Sequence, residues 1–107
     1  METIFCLRDK TLTVELSGEI DHHVADRLRN DIDTEMQFYD AEHLVFDFSK
    51  VTFMDSSGIG VVLGRYKKVN AWGGTVIIQN ASRLVKQILD MSGVFTLMDY
   101  VDTDEDK

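Results

Sequence analysis

The apolar residues of this chain switch repeatedly between a two-residue and a three-to-four-residue period, with no proline to interrupt them, and that alternation narrows the fold more than any other feature. Ile4–Leu7 and Leu12–Leu16 alternate apolar and polar side chains around Arg8–Lys10, which predicts a β-hairpin. From His22 to Phe38 the residues Val24, Ala25, Leu28, Ile32 and Met36 fall on one side of a helix, and Asp21 is its natural N-cap. Leu44–Phe48 and Val51–Met54 predict a strand interrupted by Ser49 and Lys50. Gly58–Ala71 reads as a second helix with Ile59, Val62, Leu63, Tyr66 and Val69 on its inner face, stopped by Gly73 and Gly74. Thr75–Ile78 is β-branched and strand-like. Leu84, Val85, Ile88 and Leu89 predict a third helix, opened by Asn80 or Ser82 and closed by Ser92–Gly93, before a last strand at Thr96–Met98.

The resulting order is β-β-α-β-α-β-α-β. Strands that alternate with helices form parallel β-α-β units with right-handed crossovers, so the expectation is an α/β single-domain fold with a mixed, mostly parallel sheet flanked by helices. A chain of 107 residues makes one such domain, placed at residues 1–101, with 102–107 as an acidic solvated tail. Sheets of this kind collect function outside the carboxyl ends of their parallel strands. Three polar turns are expected there together: Gly18–Asp21, Met54–Gly58 and Gln79–Ser82.

Charge limits the partners. A net charge of -8 disfavours nucleic acid and anionic membrane surfaces, both of which need clustered Lys and Arg. No apolar run is long enough to span a bilayer and METIFCLRDK lacks a signal-peptide layout, which together predict a cytoplasmic protein. The single Cys6 has no internal disulfide partner and is expected to be a small buried hydrophobe without a catalytic role.

The run M-D-S-S-G-I-G at Met54–Gly60 carries the chemistry. It is not a serine-hydrolase elbow, because Met54 and Asp55 stand where that motif needs glycine. Gly58, Gly60 and Gly64 are spaced one residue too widely for a dinucleotide fingerprint, and no Walker lysine follows. A nucleotide-binding module with weak hydrolysis is therefore the lesser alternative. Asp21, His22, His23 and Asp26 do not have the geometry of a shared metal site, so no metal and no cofactor is expected. Two readings of the serines stay open: Asp55 or Ser56 simply caps the helix, or a hydroxyl there accepts a phosphoryl group beside the positive end of the helix dipole, with Gly58 leaving room for an approaching enzyme. On the same helix, Val61 is expected off the buried stripe as an apolar anchor beside Met54, with Arg65 and Lys68 offering charge to an acidic partner.

Taken with G-E-I-D-H-H at Gly18–His23, L-G-R-Y-K at Leu63–Lys67 and D-M-S-G at Asp90–Gly93, the motif F-M-D-S-S-G-I-G resembles the anti-sigma factor antagonists of the STAS domain family, most closely their sporulation stage II branch. The resemblance spans about Thr3 to Met98. It implies a binding protein and not an enzyme. In that family the unphosphorylated form binds an anti-sigma factor that is also a serine kinase, freeing the sigma factor; phosphorylation ends the interaction and a serine phosphatase restores it. The serine directly before the glycine, here Ser57, is the implied phosphorylation site, and Asp21 matches the acid of the neighbouring turn. The implied partner-binding set is Asp21, Met54, Asp55, Ser56, Ser57, Gly58, Ile59 and Val61, on a chain expected to be monomeric. A constitutive scaffold that never becomes phosphorylated is the remaining rival. The family usually ends in another helix, which the acidic Tyr100–Lys107 segment does not favour.

Overall fold

A computed structural model describes residues 2–103. Strands β1 (Glu2–Arg8), β2 (Thr11–Ile20), β3 (His43–Met54), β4 (Val76–Gln79) and β5 (Asp99–Val101) alternate with helices α1 (His22–Tyr39), α2 (Ser56–Ala71) and α3 (Arg83–Met91), as the periods predict. The five strands lie in sequence order, β1 antiparallel to β2 and every later pair parallel. Right-handed crossovers between adjacent parallel strands bring all three helices onto one face. That face carries Leu12, Val14, Leu16, Leu44, Phe46, Phe48, Val76 and Ile78, which with Leu28, Ile32, Val62, Val85 and Leu89 of the helices form one continuous core. The alternate residues, among them Thr13, Val45 and Ile77, are half-buried on the opposite face.

The strand expected around Ser49–Lys50 is the single strand β3, and the irregularity those residues mark is a bulge against β2 and not a break. Two local expectations change. The last strand starts at Asp99, not Thr96: Gly93 adopts the left-handed region and the Thr96 hydroxyl donates to its carbonyl at 2.7 Å, which winds Val94–Thr96 into a 3-10 turn. Cys6 is exposed, because it pairs with Thr13 on the face without helices. Past residue 101, the Thr103 amide donates to the Asn80 side chain at 2.8 Å and Tyr100 Oη donates to Asp102 at 2.9 Å. The rest of the expected tail, 104–107, lies outside the described residues.

Candidate functional site

The two turns that follow β2 and β3 are built alike. Each strand ends in a buried residue, Ile20 or Met54, and hands over to an extended aspartate that caps the next helix. Asp21 Oδ1 accepts the His23 amide at 3.0 Å, and Asp55 Oδ1 accepts the Ser57 amide at 2.8 Å. Both bonds satisfy a first-turn N–H that has no partner within its helix. The turns are also joined, as Ile20 pairs with Met54 and the Asp55 amide donates to the Ile20 carbonyl at 3.1 Å. Asp21 and Asp55 therefore flank one acidic edge of the molecule. Burial acts to raise the Asp21 pKa, but the His23 amide and imidazole outweigh it and hold the carboxyl below its ordinary value.

Ser57 sits at the second position of α2, partly accessible, beside the exposed Ser56. The Gly58 and Ile59 amides donate to the Asp55 carbonyl, so with Ser57 three of the first four helical amides are taken by one residue. Gly58 itself is buried: a Cβ there would press on the Met54 side chain and come within 3.2 Å of Ile20 Cγ2. Its smallness lets α2 settle onto the ends of β2 and β3; it does not hold a path open from solvent, as the sequence suggested.

The buried stripe of α2 is rotated from the expected one. It runs through Gly58, Val61, Val62, Arg65 and Val69, while Ile59, Leu63 and Tyr66 are only half-covered. Val61 is 1% exposed and Met54 equally buried, so neither is an anchor for a partner. Arg65 also points inward: only 6% exposed, it places Nε 2.9 Å from Asp33 Oδ1 of α1, a charge contact without the alignment of a hydrogen bond. Lys68 meets Asp33 Oδ2 at 2.7 Å. Burial lowers the Arg65 pKa from its ordinary value, with the Asp33 carboxylate acting against that shift. Both cations thus clamp α1 to α2, and the charge expected for an acidic partner is spent within the fold.

The third polar turn does not join the other two. Gln79, at the end of β4, pairs with Asp47, whereas β3 continues seven residues further to Met54. At about 3.3 Å per residue the turn at Asn80–Ser82 begins roughly 23 Å back along the strand. Its polar groups serve the fold: Gln79 Nε2 donates to Asp47 Oδ2 at 3.0 Å and Ser82 Oγ accepts the Val85 amide at 3.3 Å, capping α3. What sequence reasoning missed is Phe53, 42% exposed two residues before Asp55. Two irregularities against β2 place it there: one at Ser49–Lys50 shifts the inward residues from Leu44, Phe46 and Phe48 to Val51, and a second at Thr52 turns Met54 inward and Phe53 outward, a step for which the sequence carries no polar signal of the kind Ser49–Lys50 gives the first.

The best-formed cavity, about 650 Å³, lies between the later turns of α1 and α2, lined in part by Asp33, Arg65, Lys68 and Trp72. It contains no residue of the Met54–Gly60 motif. Among the described residues, His22 and His23 stack at 4.0 Å without a third convergent ligand, and no helix is long and apolar enough to cross a membrane. The edge around Ser57 thus carries the exposed Ser56 and, two residues before Asp55, the exposed Phe53 ring.

The sequence model of the STAS domain matches residues 7–106. The anti-sigma F factor antagonist of Paenibacillus polymyxa is 44% identical over 93 residues, covering 87% of this chain and 80% of that protein. The protein of the same name from Lysinibacillus sphaericus is 32% identical over 85 residues, covering 79% of this chain and 73% of its own. Among solved structures, the anti-sigma factor antagonist SpoIIAA in its unphosphorylated form superposes with a TM-score of 0.84 at 31% identity, covering 98% of this chain and 91% of that one. The Bacillus cell fate determinant SpoIIAA in its phosphorylated form gives 0.76 at 30% identity, covering 98% and 95%.

Proposed function

The chain belongs to the STAS domain family, among the anti-sigma factor antagonists, and we propose that it is a phosphorylation-gated binding protein of the cytoplasm. Unphosphorylated, it binds an anti-sigma factor that is a serine kinase and so releases a sigma factor for transcription. The kinase transfers the γ-phosphoryl group of ATP to Ser57: the Ser57 Oγ–P bond forms, the bond to the ADP leaving group breaks, and the hydroxyl proton passes to the kinase. A serine phosphatase hydrolyses the ester and returns the chain to its binding form. A solved SpoIIAA in phosphorylated form and one in unphosphorylated form, both similar to this chain, support the cycle.

The observation that carries this reading is the partly accessible Ser57 whose amide is already held by Asp55. With the Ser57, Gly58 and Ile59 amides all directed to Asp55, a phosphate on Ser57 has little local donor capacity to fold into. It remains as surface charge, about -1.5 to -2 at neutral pH, next to the carboxylates of Asp55 and Asp21. Covering it with a partner costs several kcal/mol, and about 4 kcal/mol is a roughly thousandfold loss of affinity. Asp21, Asp55, Ser56, Ile59 and Phe53 supply the surrounding contact surface.

Incubation with the cognate kinase and ATP, followed by mass spectrometry, tests the proposal. Modification is expected at Ser57 alone, and the modified chain is expected to lose kinase binding with its circular dichroism unchanged. An unmodified Ser57, or undiminished binding by the fully phosphorylated chain, refutes it and favours a constitutive scaffold.

A further inference from the structure

Strand β1 is an edge of the sheet, hydrogen-bonded to β2 alone. Soluble proteins usually disarm such edges with lysine, proline, a bulge or a covering segment. Between its terminal residues β1 reads Thr-Ile-Phe-Cys-Leu, without proline or lysine, and its register with β2 runs unbroken from Glu2 to Arg8. Ile4 is 58% exposed, and Cys6 and Leu7 are exposed as well. The segment has the composition of a strand that pairs on both sides.

We propose that the outer edge of β1 pairs with the same edge of a second copy of this chain, antiparallel about Phe5. In that register Glu2 lies opposite Arg8 of the second copy, Thr3 opposite Leu7, Ile4 opposite Cys6, and Phe5 opposite Phe5. Charge complementarity selects it. Sliding the copies until Ile4 meets Ile4 sets Glu2 against Cys6, and sliding them until Cys6 meets Cys6 sets Arg8 against Ile4. Only the Phe5-centred alignment matches both charges, and it does so twice through the two-fold axis. Among the described residues neither Glu2 nor Arg8 has an ion pair within its own chain, so both are available to it.

Directly opposed residues of an antiparallel pair share a face. Phe5 lies opposite Val14, on the side that carries the core, and is packed against that core. The two Phe5 rings therefore extend the two apolar layers toward each other under the helices. Ile4 and Cys6, on the helix-free side, cover one another between the flanking charge pairs. The two five-stranded sheets become one, and both β1 edges disappear. A seven-residue edge buries less than a standard interface, so the association is weak and dependent on concentration.

Sedimentation and light scattering of the full chain from ~10 μM to ~1 mM test this across the range of a weak dimer. The mass is expected to climb from 12.2 kDa toward twice that value. Ile4→Lys is expected to weaken association by roughly tenfold or more while leaving the melting curve intact, as an edge lysine does in natural sheets. Glu2→Arg places like charges opposite each other and weakens it by about as much, whereas Glu2→Arg with Arg8→Glu restores it. Mild oxidation of Ile4→Cys is expected to give a disulfide-linked dimer through native Cys6, lost when Cys6→Ser is added. A monomer at every concentration overturns the proposal, as does dimerisation unaffected by Ile4→Lys or by Glu2→Arg.

Discussion

The turns that begin α1 and α2 share their backbone plan and differ in what they expose. In each, an aspartate accepts the amide of the second helical residue, so His23 in the first turn occupies the place of Ser57 in the second. The comparison teaches that a capped helix start beside a strand end is not in itself a switch. The first turn offers an imidazole 3.7 Å from its own cap. The second offers a hydroxyl, followed by a glycine that seats the helix against Met54 and Ile20. Only the second can change its charge by esterification.

The strongest way to break this asymmetry is to put the same negative charge into both turns. Ser57→Asp is expected to weaken binding to the anti-sigma kinase by about a hundredfold with the fold retained, and His23→Asp by far less. Titration calorimetry on both variants decides it, and equal losses would make the two turns equivalent. Next in size is Asp33→Ala, which removes the carboxylate shared by Arg65 and Lys68 and leaves Arg65 buried without a counter-charge. A loss of about 2–3 kcal/mol in urea unfolding is expected, because an uncompensated buried charge costs more than a broken surface pair.

The cap mutants sharpen the comparison at smaller scale. Asp55→Ala is expected to cost about 1 kcal/mol, the usual value for a lost N-cap. Asp21→Ala removes the matching cap and is expected to reduce kinase binding where the turns meet through Asp55 and Ile20. Smallest is an acid effect. The folded-state pKa of Asp21 lies below its ordinary value of 3.8, so its contribution is complete above that pH and disappears as pH falls through the lowered value. Melting curves taken below about pH 4 are expected to decline slightly less for Asp21→Asn than for the unmodified chain.

Much of the fold was legible because its signals are periodic and local. Helix α1 was placed to within one residue at its end, since Ala25, Leu28, Ile32 and Met36 form one unambiguous stripe. Helix α2 was found but its inner face was not. It carries apolar residues on more than one side, and its burial is decided by the small Gly58 and by Arg65, whose counter-ion lies on α1. An arginine reads as solvent-exposed until its distant partner is known. Strand β5 has three residues, too few to show a period beside the 3-10 turn that precedes it. For the site, the Asp21 and Asp55 caps were readable from residue type and spacing, while the offset of the third turn required the unequal lengths of β3 and β4.

That inequality shapes the end of the molecule that bears Ser57. Only Leu44–Asp47 of β3 are paired with β4, and from Lys50 to Met54 the strand is laddered to β2 alone. The tip is held by β2 on one side and by the side-chain packing of Val51 and Met54 beneath it. An enzyme that reaches for the hydroxyl beyond it meets a strand end with a single neighbouring strand, and β4 and β5 stand clear of its approach.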